Sequence, residues 1–522
     1  MGVITKKTGV IFIVTFAVAL IIFFSLKFYA ESKFKDYVAN LPEQMDFQYE
    51  DVDIDILSGN LTLKKPSLNI KGQVTNEVIA KINLDNFELK NLGYWDFYKN
   101  DAVNIELVNI SKPKITYYHN KNVEKQSYSD NLNGGSKKTF QVGTFKIENA
   151  DIEVFDVDTD SLLFSSENID IQLSSITSKS SKTSKLPFSF GEFFINSKNL
   201  EYQVGDFENL TLESMSITPE TSKLSNLKLR TKYSERELSS IIKTERDHYD
   251  LSIVSVEILN QKLTFDKDSI TVFKANEIII NTPEIDIYRD KLVADDLTHK
   301  SMYSKMLRDL NFSLDLNKII INKGRIIYEE KVKKDNQAGK LEFLNLDATI
   351  ANVSNLKSST QPVKIDISST FMEDTPLEVD WSFDVNDVND GFIFKADLGL
   401  LEAKDLNQFM QPNLNIKLEG ALIKTYFTID GNANTSRVDL KTDYDQFDVV
   451  ILQDDGKEKN KFLSGLVNLF ISKDSKNSTD NFRESDTKTV DRDKTKSIFN
   501  FVWKNAQSGL LSAMAGDGKK DN

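Results

Sequence analysis

The sequence predicts a mainly β protein: an elongated, repetitive, bent β-sheet shaped like a groove or taco. An N-terminal transmembrane helix, a few short helices and a C-terminal helical tail complete it. Three observations predict this class. Apolar and polar residues alternate through most of the 522-residue chain, the period of a strand with one buried face. One phrase of that alternation recurs six times, and a single long apolar segment precedes them all.

That segment is VIFIVTFAVALIIFFSL at 10–26, which Phe28, Tyr29 and Ala30 continue past Lys27. At ~1.5 Å per residue, 9–30 makes a helix of about 33 Å, long enough for a hydrocarbon core of roughly 30 Å. Lys27 can snorkel to the interface. A signal peptide cleaved after Ala30 is the competing reading. The stretch is long for one, however, and Phe28 stands where a small residue is wanted. The expectation is an uncleaved anchor over 1–30. Lys6 and Lys7 on one flank against Lys27, Lys33 and Lys35 on the other do not set its orientation by count. A short tail before so large a body suits a cytoplasmic tail and an exported body.

The body proper, 31–370, carries the repeated phrase: apolar-x-apolar, four linking residues, apolar-x-apolar. The copies are Leu61, Leu63, Leu68, Ile70; Val108, Ile110, Ile115, Tyr117; Phe145, Ile147, Ile152, Val154; Phe193, Ile195, Leu200, Tyr202; Ile278, Ile280, Ile285, Ile287; and Ile319, Ile321, Ile326, Tyr328. Their starts are 47, 37, 48, 85 and 41 residues apart, and such a period points to an array of units leaning on their neighbours. The links are KKPS, SKPK, ENAD, NSKN, NTPE and NKGR, rich in residues that favour turns. Across each link the apolar step is five, an odd number that in a flat strand would switch faces. Keeping one face requires a bulge or sharp bend at the link. More alternating strands lie between the copies, at 81–92, 167–176, 209–217 and 341–353. Helices are expected near 31–40, 94–100, 234–243 and 299–310, and loops over the polar stretches 120–139, 174–185 and 473–496.

From 371 to 460 the phrase fades into separate strand-like segments, LEVDWSFDV, FIFKADLGL, LNIKLEG and LIKTYFTIDG. The last region, 461–522, changes character. KFLSGLVNLFISK and KSIFNFVWKNAQSGLLSAMAG have apolar residues near helical spacing. These amphipathic helices are expected to cap the array or to lie on a membrane surface.

Composition removes several functions. A net charge of −14 argues against nucleic acid, which needs a basic face. No cysteine is present, so thiol catalysis and disulfides are excluded. The three isolated histidines His119, His248 and His299 make no zinc site or triad. DVDTDSLLFSSE at 156–167 matches several positions of a calcium loop, but Ser161 stands where glycine makes the turn and its flanks are strand-like. It reads as an acidic hairpin tip. In EDVDIDI at 50–56, Asp51, Asp53 and Asp55 form a solvated strand face. No carboxylate pair stands out for glycan hydrolysis. The chain is therefore expected not to be an enzyme, and to use no metal and no cofactor.

Longer stretches carry a resemblance. After a single N-terminal anchor, KINLDNFELKNLGYWDFYKNDAVNIELVNISKPKITYY (81–118) resembles the amino-terminal unit of AsmA-like proteins. LKLRTKYSERELSSIIKTERDHYDLSIVSVEI (227–258), PEIDIYRDK (283–291), LDLNKIIINKGRIIYEE (314–330) and the SIFNFVWKNAQSGL ending look like the AsmA-like proteins of Bacteroidetes-type bacteria. The similarity covers most of the chain. It implies the AsmA and TamB superfamily, related in design to bridge-like lipid-transfer proteins: anchored in the inner membrane, projecting an apolar β-groove into the periplasm, and linked to phospholipid traffic and outer-membrane assembly. It brings no catalytic residues. The expected partners are a phospholipid or other acyl-chain lipid, the inner membrane, and an outer-membrane or envelope assembly protein.

A repeated bent strand suits this expectation, because it builds a trough in which an acyl chain avoids water. Sixteen CH₂ groups at ~0.8 kcal/mol each are worth about 13 kcal/mol. The inward positions of the six copies are the expected lining. The alternative is a closed, dry array that serves as a non-enzymatic envelope scaffold for outer-membrane protein assembly, binding through a strand edge. It predicts interdigitating inner side chains and no lipid.

Overall fold

The computed structural model describes residues 38–39, 41–55, 58–72, 77–93, 102–120, 139–178, 188–266, 269–452, 475, 481–486 and 488–515. The predicted anchor, the helix at 94–100, most of the one at 31–40 and the apolar segment at 461–473 lie outside them. Among the described residues strands hold 63% and helices 11%, so the fold is mainly β. Pairing is mixed, parallel and antiparallel. By contacts the chain divides into two units, 1–227 with 263–270, and 228–262 with 271–522.

The first unit contains β1 (Met45–Gln48), β2 (Asp51–Asp55), β3 (Asn60–Lys64), β4 (Ser67–Lys71), β5 (Val78–Asn83), β6 (Asn86–Leu92), β7 (Ala102–Ser111) and β8 (Lys114–His119). Three longer strands and a shorter one follow: β9 (Thr139–Asp156), β10 (Leu162–Thr177), β11 (Phe193–Val204) and β12 (Glu208–Ile217). β13 (Thr221–Thr231) lies where the division falls. One arm pairs in the order β1-β4-β5-β8 and the other β2-β3-β6-β7, while β9 runs through both, parallel to β7 and then to β8. Thus β3–β4, β5–β6 and β7–β8 are each one strand interrupted at a common crease. Amides carry the pairing across it: Lys65 N donates to Asp85 O (2.8 Å), Asp85 N to Ser111 O (3.0 Å) and Lys112 N to Glu148 O (2.8 Å).

The crease explains the odd step. In five of the six copies the second linking residue has positive φ: Lys65 (43°), Lys112 (46°), Asn149 (54°), Thr282 (49°) and Lys323 (53°). One left-handed residue rotates the following side chains onto the face that they would otherwise leave. The third linking residue is then Pro66, Pro113, Ala150, Pro283 or Gly324, each buried in the vertex. A Cβ on Gly324 would sit 3.3 Å from both Leu346 O and Pro283 Cγ, so bulk is excluded there. The fourth copy bends at Asn199 (φ 48°) instead. Its frame is displaced by two residues, with the polar Ser197 buried just before the bend.

Thr282 is the one β-branched residue among these bends, in a conformation that costs L-residues about 1–2 kcal/mol. Asn serves at the same place in the third copy. Thr282→Asn is therefore expected to raise the stability of the second unit by about 1 kcal/mol, read as a higher urea midpoint.

The second unit contains α1 (Glu235–Ile241), β14 (Asp247–Leu259), β16 (Ser269–Asp290) from Thr271 onward, α2 (Tyr303–Arg308), β17 (Ser313–Lys331), β18 (Gly339–Ser354), β19 (Val363–Phe371), β20 (Thr375–Phe383) and β21 (Phe392–Leu398); β15 (Lys262–Asp266) precedes β16 and falls, from Leu263, in the first unit. Then come β22 (Leu401–Glu402), a 3-10 turn, α3 (Asn407–Leu414), β23 (Ile416–Gly431), β24 (Thr435–Ile451), β25 (Arg483–Glu484), β26 (Lys488–Asp491) and α4 (Ile498–Ala515). α1 and α2 fall inside the segments expected to be helical. Ser234 and Glu237 form a capping box that starts α1. Three expectations need correction. LNIKLEG and LIKTYFTIDG are one strand, β23, bent at Gly420 (φ 83°). Residues 174–177 end β10, and β25 and β26 lie within the stretch expected to be loop.

α4 packs along β24 and β26. Ile498, Phe501 and Ala513 are buried, and so is Asn505, whose amide oxygen accepts from Ser436 Oγ at 2.8 Å. A Cβ on Gly509 would lie 2.8 Å from Leu440 Cβ, which shows how closely helix and sheet approach. The helix covers the sheet with one face, while Phe499 and Leu511 on it stay exposed.

Candidate apolar groove

The repeated positions form ladders, because residues paired across strands share a face. In the first unit one rung runs Leu63, Phe87, Ile110, Ile147, Ile171, Ile195, Ile217. On the other side of the crease a rung runs Ile70, Ala80, Tyr117, Val154, Phe164, Tyr202, Leu210. Residues from both arms join one buried cluster, in which Leu61, Phe87, Val108 and Phe145 are 0% exposed. Leu63, Leu68, Ile70, Ile110, Ile115, Ile147 and Ile152 are buried with them, and Tyr117 and Val154 pack against them. The first three copies thus join one buried core, with Tyr117 and Val154 at its margin. In the fourth copy Phe193, Ile195, Leu200 and Tyr202 are half-buried.

In the second unit the fifth and sixth copies, β16 and β17, lie side by side, parallel and in matching register: Ile278 beside Ile319, Ile280 beside Ile321, Ile285 beside Ile326, Ile287 beside Tyr328. Asn322 Nδ2 donates to Asn281 Oδ1 (2.9 Å) and Lys274 meets Asp315 (2.9 Å), each pair 41 residues apart. The rungs extend to both sides. Ile258, Ile278, Ile319, Ile350, Ile365 and Trp381 form the first, and Val256, Ile280, Ile321, Ala348, Ile367 and Val379 the second. Beyond the bend run Leu251, Ile285, Ile326, Phe343 and Phe371, then Tyr249, Ile287, Tyr328 and Leu341.

Coverage of these rungs changes along the sheet. From β20 onward the apolar face is buried beneath α2 and α4, with Trp381 ringed by Tyr303 (5.6 Å), Phe394 (5.8 Å) and Phe383 (5.9 Å). Ile278 and Ile319 touch the margin of that cluster. Ile280, Ile285, Ile287, Ile321, Ile326 and Tyr328 are half-buried and belong to no buried cluster. A band of apolar side chains on β14, β16 and β17 is therefore half-buried, and among the described residues no buried cluster covers it.

No protein-family model matches the chain, and no curated protein matches it. The reading of this face rests on its own chemistry.

The open band ends in a charged row that the alternation did not flag. Asp247, Arg289 and Glu330 stand opposite one another, one rung beyond Tyr249, Ile287 and Tyr328. Arg289 donates from Nε (2.5 Å) and Nη2 (2.7 Å) to the two oxygens of Asp247. Burial opposes the guanidinium's charge, yet Asp247 outweighs it and holds Arg289 above its ordinary value. Tyr249 Oη donates to Asp247 (3.0 Å) and Tyr328 Oη to Glu330 (2.7 Å). Next to this row, the buried Glu245 accepts from Lys291 (2.5 Å) and Lys496 (3.3 Å). The sequence signal was a charge at the next inward position after the phrase, in IDIYRD and RIIYEE, and it reads equally well as solvated surface.

Burial, then the charge of Asp247, pushes the Tyr249 phenol up to about 12 from an ordinary 10.0. Burial, then Asp290, does the same to Tyr288. The folded protein thus keeps protons that the unfolded chain loses near pH 10. Their contribution to stability is whole below that pH and is lost as pH rises toward about 12. In an absorbance titration at 295 nm, Tyr249→Phe and Tyr288→Phe are each expected to remove one late-ionising phenol.

The opposite face of this unit is polar and curved. Thr349, Asp366, Glu378, Asp380, Lys395, Asp397, Tyr426, Thr428, Asp439 and Lys441 line a concavity of about 1080 Å³. Asp366 faces Asp380 and Glu378 faces Asp397 across neighbouring strands, while Lys424 pairs with Asp397. Among the described residues no group of side chains suits a metal ion. The tip at 156–161 is a turn in which Asp156 accepts from the amides of Asp158 (3.0 Å) and Thr159 (3.1 Å). Among the described residues no helix is long and apolar enough to cross a membrane.

Proposed function

We propose that the open apolar band of the second unit holds or moves the acyl chains of phospholipid. In this reading the chain is a non-enzymatic protein of the AsmA-like type, anchored in the bacterial inner membrane by 9–30, with its body in the periplasm serving outer-membrane biogenesis. The observation that carries the proposal is the set of in-register rungs on β14, β16 and β17, apolar, half-buried and outside every buried cluster of the described residues. Single exposed apolar residues are ordinary, whereas a contiguous band needs an occupant. The expected lining narrows to Ile280, Ile285, Ile287, Ile321, Ile326 and Tyr328 with their β14 neighbours. The buried core of the first unit gives the first three copies a structural role.

The test is to purify the full chain in mild detergent, extract it and quantify bound phospholipid by mass spectrometry. One or more lipids per chain is the expected result. None at all sinks the proposal. A second reading, the envelope scaffold, draws on the charged concavity of the other face, whose opposed carboxylates suit a protein partner better than an acyl chain. It predicts no lipid and capture of an assembly factor.

A further inference from the structure

The end of the apolar band has a definite charge pattern. Asp247 already engages Arg289 through two N–H groups. Glu330, directly beside Arg289 on the next strand, receives only the hydroxyl of Tyr328 and pairs with no cation among the described residues. The second tier, Glu245 and Asp295 against Lys291 and Lys496, is balanced. One negative charge is therefore left over, at Glu330, where the apolar rungs stop. The rung before it offers two phenol rings, Tyr249 and Tyr328, whose faces attract cations.

We propose that this end selects phospholipids whose headgroup carries an ammonium, with the acyl chain on the isoleucine rungs and the ammonium on Glu330. The inference rests on the acyl-chain reading above and adds the class of lipid. The Arg289 Nη1 group, not used by Asp247, is the place for the phosphate. Neighbouring strands lie about 4.8 Å apart, the scale of the distance between phosphate and ammonium in a zwitterionic headgroup. A purely anionic headgroup would have to face Glu330 or break the bidentate pair between Arg289 and Asp247, and both are unfavourable.

The experiment incubates the full chain with vesicles made of equal parts phosphatidylethanolamine and phosphatidylglycerol with identical acyl chains. The protein is repurified and both bound lipids are counted by mass spectrometry. Wild type is expected to enrich the ethanolamine lipid about five-fold, the size of one partly exposed ion pair. Glu330→Gln, which still accepts from Tyr328, is expected to return the ratio to that of the vesicles. Glu330→Lys is expected to favour the glycerol lipid. A wild type without enrichment, or an enrichment that survives both substitutions, overturns the inference and leaves the groove standing. Absence of either lipid from wild type removes the groove reading itself.

Discussion

Replacing Ile147 by Ala is expected to cost the first unit about 2–5 kcal/mol, whereas replacing Ile321 by Ala costs the second about 1. The two residues are the same type and hold the same place in the repeated phrase. What differs is coverage: Ile147 is 1% exposed inside a closed cluster, and Ile321 is half-buried outside any. Truncation at the first site leaves a cavity that the folded arms cannot close. At the second, solvent or a ligand already meets the side chain and fills the space. Since domains are stable by only about 5–15 kcal/mol, the difference should appear plainly in urea midpoints followed by circular dichroism. Equal losses would mean that Ile321 is covered by protein after all, and the open band would not exist.

The larger functional effect is expected from Ile280→Asp, Ile285→Asp and Ile326→Asp together. An acyl chain lying on an open face loses water on one side only, roughly 0.4 kcal/mol per CH₂ or about 6 kcal/mol for sixteen carbons. Three carboxylates in its path must either shed their water or hold the chain off the sheet. Bound phospholipid is expected to fall by more than about ten-fold. These side chains are half-buried and lie outside the buried clusters of the described residues, so the far-ultraviolet spectrum should remain that of a β protein. Lipid that persists at wild-type level in a folded triple variant would place it elsewhere on the chain.

The bend was readable because it obeys arithmetic: an odd step plus turn-forming links leaves few alternatives to a left-handed residue. The fourth copy was framed two residues away from its true bend, because a buried serine, Ser197, stands where the template asks for an apolar side chain. β24 was missed for a similar reason, since Ser436 and Thr442 hold inward positions and are buried there. α3 escaped notice as an eight-residue helix with Pro412 inside it. Which rungs are closed and which open could not be read at all. Alternation records that one face avoids water, not what covers it, and that depends on arms and helices far away in sequence. The charged row at Asp247, Arg289 and Glu330 was hidden by the same ambiguity.

The matching register of β16 and β17 has a consequence for how such a chain can change length. Because each residue of one copy stands beside its counterpart 41 positions on, a duplicated or deleted block of that size re-enters the sheet with every side chain on its original face. A block one residue longer or shorter turns all of them over. Size in this architecture is therefore counted in whole copies, and the molecule can be lengthened or shortened by inheritance without redesigning a single interface.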